Sequence, residues 1–139
     1  MIDAHHHLWD LSAVRYPWLE EKSVMRFFGD PSPIQKDYLI HQFKKECKPH
    51  GFNGSIHIQV GAKDPIKEAI WIDNITKNHP DWNMRQVVFC DLTKSEMIIE
   101  IEKFEKLPSV AGVRQILSRA PGKESGSILL DNIATPIVL

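Results

Sequence analysis

Apolar residues recur at every second position in some stretches and every third or fourth in others, and the two patterns alternate along the chain. Residues 1–4 (Met-Ile-Asp-Ala) read as a very short strand running into His5-His6-His7. Residues 8–36 follow neither period. Trp9, Tyr16, Trp18, Phe27 and Phe28 are scattered among Pro17, Gly29, Pro31 and Pro33, which predicts a long, partly ordered loop. Such loops are uncommon in compact domains and functional when ordered. Leu39, Phe43 and Cys47 keep helical spacing over about 37–48, with Gly51 as the stop.

Residues 55–60 alternate as a strand. Asp64-Pro65 then reads as a helix N-cap followed by Pro at the first helical position. Ile66, Ala69, Ile70 and Ile75 run down that helix, which should stop before Pro80. Residues 84–92 form a third strand around Val87-Val88-Phe89-Cys90. Thr93-Lys94-Ser95-Glu96 fits a capping box, and Met97, Ile101 and Phe104 continue at helical spacing, with Ile98 widening the stripe up to Pro108. Residues 110–117 form a fourth strand. Residues 118–127 read as a polar loop and 128–133 as a short helix. Strands alternating with helices predict a parallel sheet with helical crossovers.

Composition narrows the function classes. The 139 residues are 42% hydrophobic and 25% charged, the profile of one globular domain spanning 1–139. Lys plus Arg number 17 against 18 Asp plus Glu, for a net charge of -1, so non-specific nucleic-acid binding is not expected. No apolar run approaches the ~20 residues of a membrane helix, so no membrane span is expected. The opening MIDAHHHLWD lacks the basic start and apolar stretch of a signal peptide. Cys47 and Cys90 lie far apart and form no CxxC, which favours a reduced, cytoplasmic chain.

His5 and His7 carry the first chemistry. Side chains two apart on a strand share a face, so both imidazoles can reach one ion while His6 points away. Asp3 should share the face of His5 and His7, one step deeper. Neutral imidazole suits zinc and similar divalent ions, which activate water and polarise carbonyls. A surface histidine cluster or a piece of an affinity tag is the alternative on spacing alone.

Asp3-Ala4-His5-His6-His7-Leu8-Trp9-Asp10, followed by Arg15-Tyr16-Pro17-Trp18-Leu19, resembles the opening of the amidohydrolase-related hydrolases. The branch it resembles contains fuconolactonase and 2-pyrone-4,6-dicarboxylate lactonase. Gly112-Val113-Arg114-Gln115 is similar to that branch's Gly-Val-Arg segment on the fourth strand, and Ile58-Gln59-Val60 to its second strand. Gln115 stands where the branch has His. The resemblance runs from residue 2 to about residue 117.

The resemblance implies a (β/α)8 barrel with its active site at the C-terminal strand ends. It implies His5 and His7 as ligands of a divalent metal, zinc in the first instance, or as substrate-contacting histidines in metal-independent relatives. Arg114 would hold a carboxylate or carbonyl oxygen of a small-molecule substrate, a lactone or carboxylate-bearing ring. Gln59 and Trp9 are further substrate-binding candidates. An ion pair is the structural alternative for Arg114, filling of the barrel interior that for Gln59 and His57, and loop packing that for Trp9 and Trp18. Asp91, at the third strand's end, is a minor candidate that could instead begin the next helix. Cys90 reads as a small buried hydrophobe.

A barrel of this kind needs about 250 residues. The chain is therefore expected to be the N-terminal half of a (β/α)8 barrel, four parallel strands with crossover helices, and 118–139 an ending without a match. The family's later histidine and its proton-accepting aspartate would lie downstream, so no catalytic acid or base is assigned in this half. Two open barrel edges would invite self-association. The implied activity is hydrolysis of a lactone or related cyclic ester. Decarboxylation on the same barrel mouth is one alternative, and a non-catalytic truncated product that binds a partner is another.

Overall fold

The computed structural model describes residues 1–26 and 29–116. Phe27, Phe28, Leu117, the expected loop at 118–127, the expected helix at 128–133 and the unmatched ending lie outside the described residues. Four strands form one sheet: β1 (Ile2–His6), β2 (Gly54–Ile58), β3 (Asn83–Phe89) and β4 (Val110–Arg114). They pair in the order β1-β2-β3-β4, and every pairing is parallel. Helices α1 (Pro17–Glu20), α2 (Ile40–Cys47), α3 (Pro65–Asn78) and α4 (Met97–Phe104) lie between them in sequence. The predicted alternation of strand and helix is present. The long loop is more ordered than the absence of a period indicated, carrying α1 and a 3-10 turn at Ser32–Ile34.

The helices cover one face of the sheet. Leu8, Ile40, Phe43, Ile72, Trp82 and Met84 pack between β1–β3 and the helices α2 and α3. Ala69, Val88, Cys90 and Phe104 pack between β3, α3 and α4. Burying such side chains stabilises the fold by roughly 1.5–3 kcal/mol each. Cys90 is fully buried in that second cluster, the small buried hydrophobe its sequence predicted, and burial pushes its thiol pKa up. Val14, Tyr16 and Leu19 seat the long loop over the start of α3.

Helix α3 begins as its sequence predicts. Asp64 accepts the Lys67 N–H at 3.2 Å, Pro65 follows it, and the helix ends at Asn78, before Pro80. Its inward stripe differs. Ile70 is 46% exposed, while Glu68, Ala69, Ile72 and Asp73 are buried. The two acids face inward because each satisfies a backbone donor of the sheet side. Glu68 takes the Val60 N–H at 3.0 Å, and Asp73 takes the Ser109 N–H at 3.1 Å.

The capping box at 93–96 does not form. Asp91 takes both the N–H and the hydroxyl of Thr93, at 3.1 and 2.7 Å, in a local turn. The Thr93 oxygen is thus committed backwards, and α4 starts later, at Met97, with no side-chain cap. Gly54 is required by close approach: a Cβ there would press into the Asn83 carbonyl oxygen and lie 2.6 Å from Ile2 Cδ1.

Candidate active site

The site-bearing segment is an irregular strand end. Asp3 pairs across from Ser55 and His6 from His57, so the register slips between Asp3 and His6. The Asp3 carboxylate bends back to accept the His5 N–H at 2.9 Å, which removes that donor from the ladder and forms a bulge. The slip corrects the expected placement of Asp3. Asp3 pairs with Ser55, whose hydroxyl takes the Trp82 indole N–H in the core beneath the helices, so it faces the helices rather than sharing the face of His5 and His7. His6 also faces the helices. It is buried, and its ring stacks on Phe43 at 4.0 Å between centroids.

His5 and His7 come together, with ring centroids 5.0 Å apart and planes nearly perpendicular. His5 is exposed and His7 half-buried. The His7 Nδ1 lies 2.8 Å from the Ile58 carbonyl oxygen. A carbonyl can only accept, so Nδ1 carries the proton and Nε2 presents a lone pair. Burial lowers the His7 pKa, with the neighbouring His5 and Arg114 charges acting in the same sense against the Ile58 hydrogen bond. The neutral ring is the form that binds metal ions or accepts a hydrogen bond.

Arg114, at the end of β4, pairs in register with Phe89. It is half-buried; its carbonyl accepts the Cys90 N–H at 3.3 Å, and its guanidinium makes no hydrogen bond or ion pair among the described residues. The alternative of an ion-paired Arg114 is therefore not seen there. Gln59 is buried and turns its amide oxygen onto the Gly61 N–H at 2.8 Å. Its NH2 group has no protein partner among the described residues.

Trp9 donates its indole N–H to the Lys36 carbonyl at 2.6 Å, and Trp18 donates to Val60 at 2.7 Å. Both rings pack the long loop, 6.4 Å apart. Asp91 begins the turn into α4 and also accepts from Gln115 at 3.0 Å. A cleft of about 290 Å³ opens between the turns after β2 and β3, lined by Lys63, Pro65, Phe89, Lys94 and Glu100 among others. None of the residues singled out from the sequence as site candidates lines it.

Behind the histidine pair lies a buried polar group of which the sequence reading named His57 but not its neighbour Glu68. His57 does not fill the barrel interior. Its ring shares the helix-facing side with His6, at 5.6 Å. His57 Nδ1 accepts the Leu8 N–H at 3.3 Å, and its Nε2 lies 3.7 Å from the Glu68 carboxylate. Burial pushes His57 down to about 3 and Glu68 up to about 7, so the two are not an ion pair at neutral pH. The buried Tyr16 hydroxyl faces Glu68 outside good hydrogen-bond geometry. The usable signal was Glu68 itself, an acid one turn ahead of Ile72 on the buried side of a helix.

Among the described residues, no group of three or more His, Cys, Asp or Glu side chains is placed to hold a metal ion. His5 and His7 fit two positions of such a set. The Ile58 carbonyl behind His7 is the kind of outer partner that orients a metal-binding imidazole. No helix among the described residues is long and apolar enough to cross a membrane. Cys47 and Cys90 are free thiols.

No protein-family model matches the chain. It is similar to an uncharacterised protein of Sinorhizobium fredii (strain NBRC 101917 / NGR234), 29% identical over 120 residues, which cover 85% of this chain and 40% of that protein. It is also similar in structure to a probable 2-pyrone-4,6-dicarboxylic acid hydrolase from Acinetobacter baumannii, crystallised with citric acid bound. That likeness has a TM-score of 0.52 at 16% sequence identity and covers 88% of this chain and 41% of the other. The chain thus spans about two fifths of the length of these proteins. The structural likeness establishes the fold: four consecutive parallel strands with their helices, an α/β arrangement matching part of a (β/α)8 barrel.

Proposed function

We propose that the chain carries the first strands and part of the active-site mouth of a barrel hydrolase that opens a lactone or related cyclic ester. The observation that carries this reading is the state of His7. Its Nδ1 proton is committed to the Ile58 carbonyl, so a neutral Nε2 is left beside His5 at the strand ends. The likeness to a probable dicarboxylic acid hydrolase supports a substrate bearing a carboxylate. In this reading His5 and His7 hold a divalent metal, zinc in the first instance. The metal, when bound, would polarise the scissile carbonyl and lower the pKa of a water. Arg114 receives the substrate's carboxylate in its planar fork, and its freedom from internal partners fits that task. The Gln59 NH2 group and the Trp9 ring are further contacts at the same mouth.

Catalytic zinc sites have three protein ligands, so the remaining ligand and the proton acceptor would come from further barrel strands. Those would pair with the open sides of β1 and β4, supplied by the rest of a longer polypeptide or by a second copy. The test is equilibrium dialysis of the protein against Zn2+ or Co2+, with assays on a panel of carboxylated and neutral lactones. Metal binding and turnover that both fall in His5→Ala and His7→Ala support the reading. Turnover unchanged in both variants overturns it.

A further inference from the structure

Strand β1 ends at His6, yet contacts to β2 continue at His7 and Leu8. Two consecutive residues of β2 grip them. The Ile58 carbonyl takes the His7 ring proton at 2.8 Å, and the His57 ring takes the Leu8 N–H at 3.3 Å. Leu8 is fully buried in the core below. An imidazole nitrogen accepts only when it carries no proton, so this contact requires the Nε2–H form of His57. That hydrogen then points towards Glu68, 3.7 Å away, whose oxygen is anchored by the Val60 N–H at 3.0 Å. A carboxyl oxygen there favours the Nε2–H tautomer over the other. Glu68 itself is carried by the first turn of α3.

We propose that His57 is a positioning residue for the histidine pair: Glu68 selects its Nε2–H tautomer, and its bare Nδ1 ties down the Leu8 N–H and so the backbone that aims His7. The chain of contacts runs from α3 through the sheet to the strand end. It uses the helix-facing side of β2 to fix a side chain on the opposite face. Packing alone could keep Leu8 buried. It would not choose between tautomers of His57, nor make the orientation of His7 depend on a single acceptor atom. The importance of that orientation rests on the functional reading given above, but the tautomers and the hydrogen bond do not.

The test is nuclear magnetic resonance of the full 139-residue chain labelled with 15N, read through the couplings between ring nitrogens and ring protons. The expected result is His57 protonated at Nε2 and His7 protonated at Nδ1. Finding His57 protonated at Nδ1 overturns the proposal with no variant needed. His57→Asn places an amide oxygen near the position of Nδ1 and can still accept; His57→Phe cannot. His57→Phe should lose the pure Nδ1–H signature of His7 and weaken Co2+ binding roughly 10–100-fold, the usual effect of removing an outer partner. His57→Asn should restore both. Equal behaviour of the two variants overturns the acceptor role. Parent chain that shows both tautomers but binds no Co2+ sinks the metal reading and leaves the positioning role intact.

Discussion

Gln115 donates to Asp91 at 3.0 Å and, through its amide oxygen, accepts the Leu92 N–H at the same distance. One side chain therefore bridges the C-terminal ends of β3 and β4, where a (β/α) barrel presents its chemistry. Asp91 already holds the Thr93 turn, so Gln115 completes a small closed network. Gln115→Ala should cost about 1 kcal/mol, the net worth of a partly buried hydrogen bond. Urea unfolding measures it, and a loss below a few tenths would mean the bridge is replaced by water.

Gly54 is a steric requirement of the β1–β2–β3 pairing. Gly54→Ala would drive a methyl into the Asn83 carbonyl and Ile2. The strands must move apart or Ile2 must leave, which costs about 1–3 kcal/mol. The denaturation midpoint should fall with an unchanged slope. An unaltered midpoint would show that the strand spacing relaxes freely.

Acid should unfold the protein in two stages. Burial, aided by the neighbouring His57 charge in the case of His6, pushes both His6 and His57 down to about 3 from the usual 6.5. An unfolded chain takes up these protons near 6.5, so stability is complete above that pH and is lost as pH falls towards 3. Each histidine contributes a slope of about 1.4 kcal/mol per pH unit. Glu68 acts in the opposite sense. Burial raises it to about 7 from the usual 4.5, so its contribution is fully present below 4.5 and lost as pH rises through 7. His7, also lowered, adds to the decline below 6.5, and between 6.5 and 4.5 the rise from Glu68 offsets one histidine, so the decline there is shallower than the histidines alone would give. In Glu68→Gln the shallow stage should become steep. Equal slopes in parent and variant would contradict this account.

Arg114 should matter for substrate and little for stability. It has no internal partner among the described residues to lose. Arg114→Met should change unfolding free energy by no more than about 0.5 kcal/mol. On a carboxylated lactone the Michaelis constant should rise at least ten-fold, with a far smaller change on a neutral one. Equal effects on both lactones would remove carboxylate binding from its role.

The periodic elements were legible because their signals are local. Alternation marked β2, an apolar run marked β3, and Asp64-Pro65 marked the start of α3. The opposed faces of His6 and of the pair His5 and His7 followed from strand geometry. What stayed hidden depends on partners distant in sequence, or on a side chain competing with the backbone. Asp3 changed faces because its own carboxylate captured the His5 N–H and broke the register. Thr93 lost its cap to Asp91 in the same manner. Glu68 and Asp73 lie outside the apolar stripe of Ile66, Ala69, Ile70 and Ile75, and only the Val60 and Ser109 donors explain why they are buried while Ile70 is not.

Each strand of the sheet pairs with its neighbour in sequence, and the contact between β1 and β2 closes the longest loop of the three. Longer loops close at greater entropic cost. Strands β2, β3 and β4 can therefore assemble first, with the histidine-bearing segment docking last onto a finished platform. The same order in reverse makes β1 the first strand to fray. Amide hydrogens of residues 2–8 should exchange ahead of those in β3, so the part of the molecule richest in chemistry is also the most readily rebuilt around whatever it binds.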